Sequence, residues 1–201
     1  KSQKRRAAQT ALYRILDVLV HLMAPILSFT AEEVWTYMPA TDQQPGSIFL
    51  SHMPEPDGGL VDDELAAKWD QTFKERSEVL KALEEARNKG IIGHSLDAKV
   101  VLVSLNGGQN SLLRGLIESD RNRTQDILIV SQADVSGASI APSDQVSTYD
   151  AVLLNCLVAV SKAEGNKCER CWKYDPDVGK NPTYPTVCPR CAEVLGLGAS
   201  G

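Results

Sequence analysis

Two short cysteine motifs lie near the C-terminus, KCERCW at residues 167–172 and CPRC at residues 188–191. Each contains C-x2-C, and sixteen residues separate the two pairs. Zn²⁺ takes four ligands in a tetrahedron, and a two-residue gap lets one tight turn present two sulfur atoms to the ion. The spacing is typical of a closed, structural four-thiolate zinc site. The predicted ligands are Cys168, Cys171, Cys188 and Cys191.

Disulfides and a redox-active dithiol are the alternatives for these four cysteines. A redox C-x2-C normally occurs once, at the start of a helix in a βαβ setting, whereas this Pro-rich segment has two. Residues 161–195 contain few large apolar side chains, so a module of this size needs the metal in order to fold. Zinc is therefore the favoured interpretation. The fifth cysteine, Cys156, lies in an apolar run and is predicted to be a small core residue.

Aromatic and basic side chains surround the two motifs. Aromatic faces stack on bases, and Lys or Arg neutralises phosphate groups. The candidate RNA contacts are Arg170, Trp172, Lys173 and Arg190. Residues 161–195 hold six Lys or Arg and five Asp or Glu, so four thiolates and one Zn²⁺ would bring the module to a net charge of −1. RNA binding would therefore require the charges to lie on different sides of the module.

The segment that precedes the motifs, residues 59–160, predicts a small α/β unit with a long leading helix. Residues 61–89 show helical spacing, with acids in the first turn and Gly90 after the last. Trp69 and Phe73, four residues apart, are predicted core contacts. Strands are predicted at 99–105, 126–130 and 151–160, with a short helix at 112–118 and irregular chain at 137–150.

The N-terminal segment predicts the end of a helical bundle. Residues 1–27 have helical spacing that Pro25 should interrupt, and their apolar face is expected to be exposed. A second helix is predicted from Thr30 as N-cap to Met38, with Glu33 completing a capping box and Phe29 and Val34 forming a hydrophobic staple. Residues 39–59, rich in Pro and Gly, predict a linker with a brief extended segment.

Composition excludes several classes of protein. The 201 residues are 43% hydrophobic and 23% charged, which is ordinary for a globular chain and not for a disordered one. The net charge is −5, so nucleic-acid binding cannot be argued from overall charge. No apolar run approaches the roughly 20 residues of a membrane span. The basic N-terminus lacks the uninterrupted apolar core of a signal peptide, and the chain begins with Lys1, which predicts a piece of a longer, cytoplasmic protein.

No catalytic motif is present. The P-loop, H-E-x-x-H and G-x-S-x-G patterns are all missing from the sequence, and its three histidines stand far apart. The chain by itself is therefore predicted to be catalytically inactive.

Three stretches resemble a known family, in the order in which that family has them. Residues 23–35 (MAPILSFTAEEVW) resemble the helical anticodon-binding domain of class I aminoacyl-tRNA synthetases specific for branched aliphatic amino acids. Residues 76–100 (RSEVLKALEEARNKGIIGHSLDAKV) resemble the isoleucyl enzymes in particular. The two cysteine motifs are similar to the C-terminal zinc module of bacterial isoleucyl-tRNA synthetases.

The resemblance implies a fragment that binds and orients the anticodon arm of an isoleucine tRNA. Activation of isoleucine with ATP and Mg²⁺, and editing, would belong to parts of the parent enzyme outside this chain. The expected partners are the tRNA and the rest of the enzyme, with no membrane and no obligate oligomer. Four parts are expected: the end of the anticodon-binding domain with a linker (1–58), an α/β junction unit (59–160), a zinc ribbon (161–195) and a flexible tail (196–201).

Two other functions stay open at this point. The zinc ribbon could be purely structural, a brace for the α/β unit or a surface that docks on the parent enzyme. The ribbon pattern also resembles the zinc finger of formamidopyrimidine-type DNA glycosylases, which would make the chain a DNA-repair module. An α/β segment precedes the ribbon here, where those glycosylases have a helix–two-turn–helix domain, and this disfavours the repair interpretation.

Overall fold

The computed structural model describes residues 3–39, 44–104 and 111–198. The chain divides into two compact units, Lys1–Val61 and Asp62–Gly201, which are described separately. None of the helices in the described ranges combines the length and the apolar character needed to cross a bilayer. The finer boundaries expected at 58, 160 and 195 remain predictions.

The first unit is a pair of helices, α1 (Gln3–Met23) and α2 (Ser28–Tyr37). Helix α1 ends two residues before Pro25, as predicted. The predicted start of α2 was wrong: Leu27, not Thr30, is the N-cap, and no side chain caps the helix. The backbone continues in helical turns between α1 and α2, because Leu27 N–H donates to Met23 O at 2.7 Å. Phe29 therefore lies within α2 and is 94% exposed, so no staple forms.

A returning segment, residues 44–51, closes the core of this unit. The indole N–H of Trp35 donates to Pro45 O at 2.9 Å. The carboxylate of Glu32 accepts hydrogen bonds from Ser47 Oγ at 2.9 Å and from Ile48 N–H at 3.1 Å. Ile48–Leu50 forms a 3-10 turn and not the extended segment that was predicted, because Ser47 caps it.

The outer face of α1 is exposed, as the sequence predicted. The exposed apolar side chains on that face include Leu12, Ile15, Leu19 and Leu22. The opposite face supplies Val20 to a core shared with Ala31, Trp35 and Ile48. Helix α1 therefore carries apolar side chains on two faces, of which one is buried in the core of this unit and the other is exposed.

Helix α3 (Asp63–Asn88) leads the second unit and has the ends that the sequence predicts. Asp62 is its N-cap, accepting a hydrogen bond from Leu65 N–H at 2.8 Å. Gly90, just beyond its end, has φ 72°, a left-handed conformation that glycine adopts without strain. The core is formed by the second half of the helix, through Val79, Leu83 and Ala86.

The predicted core role of Trp69 and Phe73 was wrong. Phe73 is 53% exposed and Trp69 is half-buried, and their rings lie 5.5 Å apart on the surface of α3. The guanidinium of Arg123 lies 6.0 Å from the Trp69 ring. The i,i+4 spacing correctly predicts that the two rings meet, but it does not say which face of the helix meets the core.

A four-stranded mixed sheet packs against α3. Its strands are β1 (Ala98–Val103), β2 (Gln132–Ser136), β3 (Val146–Ala151) and β4 (Cys156–Lys162), in the order β2-β1-β4-β3. Strand β1 runs parallel to β2 and antiparallel to β4, which pairs antiparallel with β3. The helices α4 (Leu112–Ser119) and α5 (Arg121–Leu128) connect β1 to β2. These elements and the cysteine-rich segment confirm the predicted α+β class.

Strand positions were predicted less well than helices. The predicted strand at 126–130 is wrong: α5 covers its first half, because Asp120 caps that helix by accepting from Arg123 N–H at 3.0 Å. The strand predicted at 151–160 begins later, as β4 at Cys156. Residues 152–154 form a 3-10 turn instead, since Asn155 takes a left-handed conformation (φ 47°) that makes a tight hairpin. All of strand β3 except Ala151 lies in the segment 137–150, which was predicted to be irregular. The turn predicted at 106–108 lies outside the described residues.

A buried carboxylate joins α3 to α4. Glu75 is 1% exposed and accepts hydrogen bonds from Leu113 N–H at 2.8 Å, Ser111 Oγ at 2.9 Å and Leu112 N–H at 3.3 Å. It also accepts from Gln71 Nε2 at 3.2 Å. The first turn of a helix has unpaired N–H donors and a partial positive charge, which a carboxylate satisfies. Glu75 therefore fixes the start of α4 from a neighbouring helix.

Candidate metal centre

The four predicted metal ligands meet at one point of the second unit. One possible ligand atom from each of Cys168, Cys171, Cys188 and Cys191 lies within 4.8 Å of the others. The Cys171 and Cys188 sulfur atoms are 3.7 Å apart. A regular tetrahedron with Zn–S bonds of about 2.3 Å has S–S edges of roughly 3.8 Å. The cluster therefore fits a four-thiolate zinc ion in both donor type and spacing.

The backbone around Cys168 shapes the first half of the cluster. The short strands β5 (Asn166–Lys167) and β6 (Tyr174–Asp175) pair on either side of the C-x2-C turn. Trp172 N–H donates to Cys168 O at 2.8 Å, and Cys168 N–H donates to Lys173 O at 2.9 Å. Gly165 precedes β5 with φ 91°, and a side chain there would come within 2.3 Å of the Asp175 backbone. Only glycine fits at that position.

The second half of the cluster begins a helix. Cys188 comes just before α6 (Pro189–Gly198), and Cys191 lies in its first turn. The hairpin of β5 and β6 thus flanks the first cysteine pair and does not connect the two pairs. Helix α6 runs through Gly198, so it includes the first three residues of the predicted tail; residues 199–201 lie outside the described ranges.

The thiols of the cluster do not ionise alike. Burial opposes ionisation of Cys168, but backbone N–H groups, among them Cys188 N–H at 3.3 Å, outweigh it and lower the pKa to about 6. Burial raises the pKa of Cys171, and it raises that of Cys188 to about 12. The ligands of a metal must be deprotonated, so zinc binding here would release protons. Arg170 donates to the Cys191 sulfur at 3.6 Å and would offset part of the thiolate charge.

Trp172 stands out at this cluster. It is 61% exposed and has φ 65°, a left-handed conformation that is unusual for a bulky residue. The ammonium group of Lys167 lies 5.7 Å from the centre of its ring. The turn around the metal ligands imposes the conformation, and the result is an indole face held outward. Of the four predicted RNA contacts, Arg170, Trp172 and Arg190 are exposed, and Lys173 is not.

Lys173 and Arg190 bind to the protein itself. Both pair with Asp126 on α5, Lys173 Nζ at 2.5 Å and Arg190 Nη1 at 3.3 Å. The side chain of Lys173 is only 14% exposed. No local pattern points to Asp126, which lies 47 residues before Lys173 and 64 before Arg190. That Lys173 and Arg190 contact RNA stays a prediction. Within the protein, both form an ion pair with Asp126.

The cysteine-rich segment is joined to the sheet by one more buried group. Ser131 Oγ donates to Leu96 O at 2.5 Å and accepts from Tyr174 N–H at 2.7 Å. Ser131 precedes β2 and is buried. Together with Asp126 it holds the segment against α5 and the edge of the sheet.

We expect Asp126→Asn to loosen this attachment without releasing zinc. The shared carboxylate of Asp126 is 54% exposed, and ion pairs with such a solvated partner contribute about 0.2–1 kcal/mol each, so losing two shifts a local opening equilibrium by roughly fivefold. Amide hydrogen exchange at Tyr174 should accelerate by about that factor. Asp177→Asn is the matched control, because Asp177 pairs with Lys180 inside the cysteine-rich segment, at 2.5 Å. Equal exchange rates in the two variants would show that Asp126 does not hold the segment.

Comparison with known protein families identifies the class. Residues 1–102 match the model of the anticodon-binding domain of tRNA ligase, and residues 165–194 match a zinc finger found in FPG and IleRS. The chain belongs to the family of anticodon-binding domains of tRNA ligases. The match over 1–102 decides against the DNA-repair interpretation, which the finger alone would have allowed.

The similar curated proteins point to one kind of ligase. The chain is 42% identical over 194 residues to the isoleucine–tRNA ligase of Desulforamulus reducens, a match that covers 96% of the chain and 20% of that enzyme. The isoleucine–tRNA ligase of Carboxydothermus hydrogenoformans is 43% identical with the same coverage. That of Nitratidesulfovibrio vulgaris is 42% identical over 98% of the chain and 21% of the enzyme. The chain thus spans about a fifth of the length of these relatives.

Proposed function

We propose that this chain is the part of a cytoplasmic isoleucine–tRNA ligase that binds and orients the anticodon arm of its tRNA. The similarity to isoleucine–tRNA ligases extends over almost the whole chain and supports this proposal. Isoleucine activation, with its ATP and Mg²⁺, and editing would be performed by other parts of the enzyme.

Cys168, Cys171, Cys188 and Cys191 are the proposed zinc ligands. Four thiolates close the coordination sphere, so the ion would be structural and not catalytic. Zinc would supply the folding free energy of a segment with a small apolar core, whose members besides the cysteines include Val178, Val187 and Ala192.

The outward indole of Trp172 is the observation that carries RNA binding. Sequence-specific RNA recognition uses unstacked loop bases, which stack on exposed aromatic side chains. The left-handed backbone at Trp172, beside the four cysteines, sets the direction in which its side chain leaves the turn before RNA arrives. A pre-positioned ring loses little conformational entropy on binding.

A bracing role is the second candidate for the cysteine-rich segment. The pairing of Lys173 and Arg190 with Asp126 favours it, because both cations already have a carboxylate partner. The two roles are compatible: a braced segment can hold Trp172 in a fixed position relative to α5.

The direct test is a titration of the zinc-loaded chain with an isoleucine tRNA and an unrelated tRNA at one stated salt concentration, since phosphate contacts make affinity steeply salt-dependent. We expect a clear preference for the isoleucine tRNA. Equal affinity for both, or no binding to either, would contradict the proposal and leave the bracing role.

We expect Trp172→Gly to weaken binding of the isoleucine tRNA by about five- to 150-fold, because one stacked base contributes about 1–3 kcal/mol. Glycine removes the ring and accepts the left-handed conformation without strain. Trp172→Phe, which keeps an aromatic face, should retain most of the affinity. Val152→Ala, at an exposed position in the turn before Asn155, is the surface control. If Trp172→Gly binds like the wild type, the indole does not contact the RNA.

A further inference from the structure

A cleft separates α5 and the edge strand β2 from the cysteine-rich segment. Its volume is about 310 Å³. One wall holds Asn122 and Gln125 of α5, the floor is formed by Gln132 and Ala133 of β2, and Tyr174 lies on the opposite wall. The volume is at the small end of the range for ligand pockets in proteins.

The cationic side chains that line this cleft are all paired with carboxylates, whereas Asp175, also in its lining, accepts only a backbone hydrogen bond from Asp177 N–H within the described residues. Arg121 pairs with Asp134 at 3.1 Å, and Lys99 pairs with Glu164 at 2.6 Å. Lys173 and Arg190 both pair with Asp126. A cleft whose cations are all paired offers little to a free phosphate, and it favours an uncharged, polar ligand.

Three polar groups in the cleft lack a partner in the described part of the chain. These are the side-chain amides of exposed Asn122 and half-buried Gln125 and the hydroxyl of half-buried Tyr174. By contrast, Gln132 is occupied: its amide donates to Glu164 O at 2.9 Å and accepts from Glu164 N–H at 3.1 Å. The side chains of α5 and Tyr174 can therefore still form hydrogen bonds to a ligand, while the Gln132 amide on the floor is already bonded to Glu164.

We propose that this cleft receives one unstacked nucleoside of the RNA loop that the chain binds, with Gln125 and Asn122 bonding the edge of the base. A carboxamide offers a donor and an acceptor side by side, as the edge of a base does. The half-buried Tyr174 ring provides an aromatic surface beside it. This inference rests on the proposed function and deepens it: the base read here would be distinct from one that stacks on Trp172.

The test is Gln125→Ala in the zinc-loaded chain, titrated with an isoleucine-tRNA anticodon stem–loop. Loss of one base-edge hydrogen bond should weaken binding about tenfold. Zinc content and thermal unfolding should not change, since the Gln125 side chain makes no hydrogen bond to the described part of the protein. Gln145→Ala is the matched control, next to β3 at the opposite edge of the sheet, and should bind like the wild type.

Side-chain amide resonances give a second readout. The Gln125 and Asn122 amide signals should shift when the stem–loop is added and stay in place with millimolar AMP, CMP, GMP or UMP. Equal shifts with a free mononucleotide would make the cleft a small-molecule site and overturn the RNA assignment. If the wild type binds the stem–loop, and Trp172→Gly lowers that affinity while Gln125→Ala leaves it unchanged, the cleft proposal fails and the proposed function stands. If the wild type binds neither tRNA nor stem–loop, both fail.

Discussion

Cys168→Ser should reduce the zinc content of the chain from one ion to well below one, and it should unfold the cysteine-rich segment. Cys168 is fully buried, and its sulfur accepts the hydrogen bond from Cys188 N–H that links the two halves of the cluster. Serine is a poor zinc ligand, so the site would lose a thiolate and its closed coordination. Apparent zinc-binding free energies in zinc-finger peptides are about 10–16 kcal/mol at neutral pH, and this free energy is coupled to folding. No other single substitution in this chain is expected to have a larger effect.

Metal analysis and hydrogen exchange across residues 165–194 would measure this result. Cys156→Ser is the matched control. Cys156 lies outside the cluster, packs half-buried against the sheet core, and has a pKa raised to about 11 by burial. That variant should keep one zinc ion and the protected amides of the segment. Retention of a full zinc ion and unchanged exchange in Cys168→Ser would disprove the four-thiolate site.

Glu75→Ala should lower the free energy of unfolding of the second unit by about 3 kcal/mol, the range for breaking a buried charged network. The substitution leaves the N–H groups of Leu112 and Leu113 and the hydroxyl of Ser111 without their acceptor. It also opens a cavity beside α4. Glu75→Gln keeps the side-chain volume but has only one acceptor oxygen. Its free energy of unfolding should therefore lie between those of the wild type and Glu75→Ala.

Urea unfolding of the zinc-loaded variants, followed by circular dichroism, would measure the difference. Glu84→Ala is the control on the same helix, since Glu84 is exposed and pairs with Arg87. A surface substitution of this kind changes the free energy of unfolding by no more than about 0.5 kcal/mol. If Glu75→Ala unfolds at the same urea concentration as Glu84→Ala, the carboxylate does not hold α4.

Local signals in the sequence predicted most of the helices. The ends of α3 follow from Asp62 and Gly90, and α4 from its apolar spacing. The strand predicted at 99–105 is present as β1, Ala98–Val103; residue 105 lies outside the described ranges. The short apolar run at 126–130 was misassigned, because periodicity alone cannot separate a short strand from a short buried helix. Asp120 favours the helix there, because it caps the N-terminus of α5.

The cysteine spacing by itself determined that four sulfur atoms could share one metal, because the geometry of each C-x2-C turn is local. Local pattern could not show where Trp172, Lys173 and Arg190 would point, since that depends on residues far along the chain. Only the tertiary structure brought Asp126 to Lys173 and Arg190, and Glu75 to the start of α4. A buried or paired charge is decided by its partner in space, and the cleft beside α5 exists only because the cysteine-rich segment packs there.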